Sequence, residues 1–322
     1  MTNFIKFDSL LRMNVIKKLQ VIKQTTGLTQ TKLAEKLGVS FVTFNSWWTG
    51  KSLPRPRIQV LIDELFLEVT GQKIIPTEQL TAKKQVLSKK SKEHKNVMLE
   101  ILNNPDIRNT FLLKLTYNSN KIEGSTLTES DTASILFDNI SLPNKSLIEQ
   151  LEAKNHQTAL NYLFEYISKD GKLDGELILK LHGILMNSIR PDAGGYRNHA
   201  VRILGVNLPV ANYNKIPDLI PDITREMNRE TKDVIALTAS VHSRFEQIHP
   251  FSDGNGRIGR ILMSAMLLKA NMTPAIVRQE NKQLYYAYLY KAQTKDDYSQ
   301  LEDFLCDSVL DGFKILERKE TV

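Results

Sequence analysis

The twelve residues from His249 to Arg260, HPFSDGNGRIGR, constrain this chain more than any other stretch. They set one imidazole, one carboxylate, an Asn between two glycines and two guanidiniums between two segments of apolar helical period. Val234, Leu237, Val241, Phe245 and Ile248 form the stripe leading in, and Ile258, Ile261, Leu262 and Ala265 the stripe leading out. The spacing predicts a polar loop slung between two core helices, the rigid setting that a preorganised site needs. No packing requirement explains so polar a mixture at that place.

Each residue type suits a nucleoside triphosphate. Gly254 and Gly256 lack Cβ atoms and tolerate φ > 0, so consecutive backbone N–H groups can point into one concavity. The helix that follows adds its unpaired first-turn donors and the positive end of its dipole, which together make an anion cradle. Arg257 and Arg260 lie three apart, share a helix face, and are expected to engage successive phosphates. Asp253 suits a magnesium ion, which takes one or two carboxylates and draws its other ligands from phosphate and water. His249, with an ordinary pKa near about 6.5, is left for proton transfer.

This stretch resembles the signature of the Fic family, HPFx(D/E)GNGR, at every defined position, with Arg260 as the further arginine on the helix. The resemblance implies transfer of AMP from ATP to a Ser, Thr or Tyr hydroxyl of a target protein, with pyrophosphate leaving. It implies His249 as the general base, Asp253 as the magnesium ligand, Gly254, Asn255 and Gly256 as the phosphate cradle, and Arg257 and Arg260 as polyphosphate clamps. Tyr285 and Tyr286 are expected to wall the adenine. Ser119 to Gly124, SNKIEG, resembles the family's inhibitory pattern (S/T)xxxE(G/N), carried here by Ser119, Glu123 and Gly124. By that resemblance Glu123 pairs with Arg260 where the γ-phosphate should lie, and ATP is held in a pose unfit for in-line attack.

The fold implied is all-α, a Fic-type helical bundle with a small β-hairpin flap. Val201, Ile203 and Leu208 around Gly205, within residues 194–212, suggest the hairpin, and the family's flap pairs with an extended target segment. Upstream, Asn104 followed by Pro105 reads as a helix start, Ile107, Phe111 and Leu115 follow at spacing four, and Gly124 reads as its stop. His156 and His182 fall within helical patterns and are expected to be structural.

The net charge of +7 is uneven: residues 1–100 hold 17 Lys and Arg against 8 Asp and Glu, the remainder 26 against 28. A polyanionic partner is therefore expected for the first part alone. There Thr29 caps, Leu33, Ala34 and Leu37 share a face, Gly38 turns, Ser40 opens a second helix and Gly50 closes it, the pattern of a helix-turn-helix. The segment resembles the Cro and phage-repressor domains. That resemblance implies DNA binding, with Thr43 and Asn45 reading bases and Gln30, Lys51, Arg55 and Arg57 on phosphates. The charged stretch 71–96 reads as a linker or an exposed helix joining two domains, a helix-turn-helix domain at 1–70 and a catalytic domain at 97–322.

Cys306 is the one cysteine and can form no internal disulfide, which fits a reducing compartment. With no cleavable leader pattern and no apolar run of about 18 residues, a cytoplasmic protein without membrane contact is expected. No sequence feature specifies an oligomeric state. Three other readings of the loop stand beside AMP transfer. They are γ-phosphate transfer, as in the death-on-curing relatives, which bear a Lys where this loop has Gly256; AMP removal at the same site; and a DNA-binding regulator that uses the site as a nucleotide sensor.

Overall fold

A computed structural model describes residues 15–24, 26–70, 75–202 and 208–318. They divide into two compact units, Met1–Pro76 and Thr77–Val322. The protein is all-α, and among the described residues there is no strand. Of the hairpin expected within 194–212, residues 203–207 lie outside the described residues, and the flanks on either side carry no regular element.

In the first unit, residues 15–24 form α1, followed by α2 (Gln30–Lys36), α3 (Phe41–Trp48) and α4 (Pro56–Thr70). The start signals act as chemistry requires: the Thr29 hydroxyl accepts from the Lys32 amide and the Ser40 hydroxyl from the Thr43 amide, each satisfying a first-turn donor. Gly38, at φ +67°, makes the tight turn between α2 and α3. Leu19, Ile22, Leu33, Phe44, Trp47 and Ile62 close the core, so the aromatic character of α3 is divided: Phe44 and Trp47 are buried, while Phe41 and Val42 are exposed. Residues 1–76 hold 11 Lys and Arg against 5 Asp and Glu.

The second unit begins within the stretch expected to be a linker or an exposed joining helix. Residues Thr77–Glu93 form a helix, α5, that docks on the closing helix α15 (Ser299–Leu316). Leu87 is fully buried in the main core. Lys83 reaches Asp303 and Asp307 at 2.6 and 2.7 Å, Lys84 reaches Asp233 and Glu302, both at 2.5 Å, and Lys90 reaches Glu317 at 2.6 Å. The lysines that looked like a solvated linker face acids more than a hundred residues away in sequence. They also absorb part of the basic excess counted over residues 1–100.

Behind them, α7 (Pro105–Ile122), α9 (Leu147–Ser168), α10 (Gly175–Leu185) and α12 (Val234–Ile248) surround α13 (Asn255–Lys269), and α14 (Lys282–Lys295) packs on α12 and α15. Helix α13 is buried nearly all round its girth, with Asn255, Arg257, Arg260 and Ser264 among the buried residues. Asn104 caps α7 by accepting from the Asp106 and Ile107 amides, as the Asn-Pro pair predicts. Where α12 crosses α13, a Cβ at Gly259 would meet the Glu246 carboxylate and, at 2.9 Å, the His242 ring. The missing side chain thus makes room for polar groups in the core. His242 Nε2 bonds the Tyr285 hydroxyl at 2.5 Å, and the Thr116 hydroxyl bonds His156 Nδ1 at 3.1 Å.

Two measurements check this packing. Leu87→Ala should destabilise the second unit by about 2–5 kcal/mol, as truncation of a fully buried Leu does, read as a shift of its urea midpoint; a solvated linker would show no shift. Burial pushes the pKa of His156, His182 and His242 down to about 3, about 4 and about 3, and pushes the Glu246 carboxyl up to about 8. Below the ordinary histidine value the unfolded chain takes up protons that the folded rings refuse, so stability should fall as pH drops from about 6.5 toward 4. From about 4.5 to 8 the folded Glu246 holds a proton that the unfolded carboxyl has lost, which offsets part of the histidine effect below about 6.5 and makes stability decline with rising pH above it. Glu246→Gln should flatten the alkaline decline and steepen the acid limb, where the carboxyl otherwise offsets part of the histidine effect. An unchanged slope above pH 6.5 in urea titrations of that variant would refute the assignment.

Candidate active site

The loop joins the C-terminus of α12 to the N-terminus of α13. His249 caps α12 in the left-handed region, φ +51° and ψ +61°, a conformation that costs a side-chain-bearing residue free energy and persists only where neighbours enforce it. Its Nδ1 lies 3.2 Å from the Glu246 carbonyl, which can only accept. Nδ1 therefore carries the proton, and Nε2 keeps its lone pair. Burial, with the nearby Arg197 charge in the same direction, lowers the pKa of the ring below the ordinary histidine value. At neutral pH this is an uncharged imidazole, ready to accept a proton.

The rest of the loop is latched to itself and to α10. Asn255 Oδ1 accepts from the Phe251 amide at 2.9 Å while its Nδ2 donates to the Phe251 carbonyl at 2.8 Å. Phe251 is fully buried and stacks on the His182 ring, with centroids 3.7 Å apart and planes 7° from parallel. His182 Nδ1 accepts from the Gly194 amide at 2.9 Å, which leaves Nε2–H to donate to the Asp253 carbonyl at 3.2 Å. That pattern requires a neutral ring, and burial supplies it. The expectation that His182 is structural holds, and it is structural to this loop. Asn255, expected in the cradle, contributes its place in the first turn of α13, while its side chain closes the loop.

At the start of α13, Gly254 sits at φ +79°. A Cβ on Gly256 would collide with the Glu123 carboxylate and lie 3.0 Å from Arg260 Nη1. The space over the first turn of the helix is thus occupied by the chain's own carboxylate. Arg260 is buried and bound to one end of α7: Nε donates to the Ser119 hydroxyl at 2.9 Å, and Nη2 to the Ser119 carbonyl at 3.1 Å and to Glu123 Oε1 at 2.6 Å. The spacing has a reason. Ser119 and Glu123 are four apart on one face of α7, and Ser119 is among its last four residues, whose carbonyls have no intrahelical partner. Gly124 leaves the helix at φ +106°. Burial disfavours the Arg260 charge, but the Glu123 carboxylate outweighs it and holds the guanidinium firmly protonated. Arg260 Nη1 has no hydrogen-bond acceptor among the described residues.

Two expected ligand residues stand elsewhere. Arg257 is 3% exposed and pairs with Glu152 of α9 at 2.6 Å, its other arm 3.5 Å from Asp253; it braces the loop instead of offering an open clamp, because the Glu152 charge is within reach once α9 packs there. Tyr285 is 1% exposed, with its hydroxyl on His242. A ring buried beneath the surface cannot wall a ligand, and the aromatic spacing there reflects core packing. Tyr286 is half-buried beside it, the Glu123 and Arg260 charges acting on its hydroxyl after burial itself. Glu152 and Arg197 carry no signal in the sequence, since neither belongs to a periodic motif; their partners are visible only in three dimensions.

Asp253 has a carboxylate half open to solvent, with Oδ1 accepting from the Gly254 amide at 2.6 Å. Among the described residues no group of three His, Cys, Asp or Glu side chains could hold a metal. One exposed carboxylate beside an anion cradle fits magnesium carried in with phosphate oxygens, which needs no protein cage.

Residues 172–267 match the family model described as Fic/DOC family. The chain is 32% identical over 192 residues to the protein adenylyltransferase Fic of Nematostella vectensis, covering 56% of this chain and 43% of that protein. To its counterpart in Drosophila erecta it is 30% identical over 195 residues, covering 59% and 39%. The chain therefore spans less than half the length of these curated relatives. Among solved structures, a Fic domain containing signaling protein from Bacteroides thetaiotaomicron aligns at 25% identity and TM-score 0.63, over 73% of this chain and 98% of that one. Fic-1 from C. elegans shares the fold at TM-score 0.66 and 21% identity, over 92% of this chain and 91% of that one. Within this chain, then, a Fic/DOC family domain runs over residues 172–267 and contains the loop that bears His249 and Arg260.

Proposed function

We propose that the protein is an adenylyltransferase that moves AMP from ATP to a Ser, Thr or Tyr hydroxyl of a target protein, and that Glu123 holds it inactive. One observation carries this reading: a buried Arg260, at an amide-lined helix start one loop away from a neutral imidazole, binds a carboxylate of its own chain where a terminal phosphate would bind. The named relatives support it, being called protein adenylyltransferases.

In the active arrangement the acceptor oxygen attacks the α-phosphorus, the bond from that phosphorus to the bridging β-oxygen breaks, and pyrophosphate leaves. The hydroxyl proton passes to His249 Nε2. Arg260, released from Glu123, holds the departing polyphosphate together with the first-turn amides of α13, and Tyr286 lies at the edge of the same space. Asp253 would hold magnesium, whose charge would offset that of the phosphates. Glu123 blocks this by occupying the Arg260 donor over Gly256.

A charge-assisted hydrogen bond contributes about 1.5–3 kcal/mol and about 1.4 kcal/mol is tenfold. Glu123→Gly should therefore raise AMP transfer roughly ten- to hundredfold. His249→Ala in that background should lower it by about 10²–10⁴, the usual contribution of a general base. Transfer of label from α-labelled ATP measures both. Label arriving from the γ-position would establish phosphate transfer instead, and no gain from Glu123→Gly would dismiss the inhibitory role.

For the first unit we infer contact with DNA through α3. The observation favouring it is an exposed first turn, Phe41, Val42 and Thr43, on a Ser40-capped helix with no acid in that turn. Thr43 and Asn45 would face bases, with Gln30, Lys51, Arg55 and Arg57 on phosphates. Affinity for duplex DNA should fall steeply between 50 and 200 mM salt, by about 10³ or more if six phosphates are engaged, and Arg55→Ala with Arg57→Ala should make that dependence shallower. Fluorescence anisotropy across a salt series reads both; no binding at 50 mM salt would end this assignment.

A further inference from the structure

Arg197 is 4% exposed, and among the described residues no carboxylate pairs with it. Burying a guanidinium without a counter-ion is expensive unless hydrogen bonds satisfy its donors, so where those donors go is informative. Each of its three nitrogens donates to a backbone carbonyl, two of them at the end of α12. Nε donates to the His249 carbonyl at 2.7 Å, and Nη2 donates to the Ile248 carbonyl at 3.3 Å and to the Ala211 carbonyl at 2.5 Å. Nη1 donates to the His199 carbonyl at 2.8 Å, and the backbone amide of Arg197 donates to the Pro250 carbonyl at 2.9 Å.

Three successive carbonyls, those of Ile248, His249 and Pro250, are thus held by one residue. Helix α12 ends at Ile248, where a helix leaves its carbonyls without partners, so Arg197 caps that end. It does so at the residue whose left-handed conformation aims the imidazole. The same guanidinium binds both ends of the 199–211 segment, and the Ala211 amide donates to the Gln247 carbonyl at 3.1 Å. An apolar or neutral polar residue could fill this volume. Only a planar fork of five N–H donors reaches four carbonyls on three strands of backbone.

We propose that Arg197 is the positioning residue for His249: it fixes the backbone that aims the imidazole and bolts that backbone to both ends of the 199–211 segment. This rests on the reading of His249 as the base. Arg197 touches no reacting atom and acts through the base alone.

The test uses the full chain carrying Glu123→Gly, with Arg197→Ala, Arg197→Gln and Arg197→Lys compared. A catalytic group misplaced by about 1 Å can lower the rate roughly hundredfold. We therefore expect kcat for AMP transfer to fall about that far in Arg197→Ala and Arg197→Gln, while the Kd for ATP, measured by calorimetry, stays unchanged. Arg197→Lys, which keeps charge and length with fewer donors, should fall between. In parallel, long-range proton–nitrogen imidazole spectra, with His249→Gln assigning the signal, should show a single Nδ1–H tautomer before substitution and a mixture in Arg197→Ala. If Arg197→Ala does not fold, Arg197→Lys decides by the same two readouts. An unchanged kcat, or a Kd for ATP that rises in step with the loss of kcat, would overturn the proposal. Should the Glu123→Gly protein transfer no AMP, the functional reading falls; the spectra then decide alone, and a tautomer that survives loss of the guanidinium sinks the positioning role.

Discussion

The bond between Arg260 and the end of α7 is the interaction on which the site depends. A guanidinium 6% exposed must have its charge and donors met or the core around it fails. Ser119 meets two donors and Glu123 one, so α7 and α13 are tied at the point where an anion would enter. The pairing is asymmetric in burial: a third of the Glu123 side-chain surface faces solvent. The carboxylate can therefore leave at little desolvation cost to itself, while the arginine cannot follow. Nη1 of Arg260 meanwhile stands without an acceptor among the described residues.

Around that bond the protein uses neutral polar groups where a simpler core would be apolar. His182 is held neutral and so can accept from Gly194 and donate to Asp253 at once. His249 is held neutral and so keeps a lone pair outward. Glu246 and His242 press against Gly259, on the helix that carries Arg260, where any side chain would force them apart. These groups rigidify the floor of the site at a cost in stability away from neutral pH, a trade common where function sets the packing.

The loop itself was legible in the sequence because its chemistry is local. A glycine at φ > 0, a helix start and an Asn that closes the loop on Phe251 lie within a few residues of one another, and so do Ser119 and Glu123. The two helices joined at Gly38 were readable for the same reason, since Thr29, Gly38 and Ser40 act on their own neighbours. The misreadings share the opposite cause. Residues 77–93 looked like a linker because their lysines carry no local partners; Asp233, Glu302, Asp303 and Glu317 supply them from the far end of the chain. Tyr285 looked like a ligand wall because an aromatic ring at helical spacing reads alike whether it faces a cleft or the core.

The sequence by itself determined which groups are present: an imidazole, a glycine-flanked helix start, an acid four residues beyond Ser119 and the helices that carry them, all from short-range spacing and backbone preference. Only the tertiary structure decided which charges meet. That Arg257 turns to Glu152, that Arg197 gathers the carbonyls of Ile248, His249 and Pro250, and that α5 belongs to the second unit are outcomes of packing. A buried charge takes whatever partner the fold brings within reach, and that distance is not written in any local pattern.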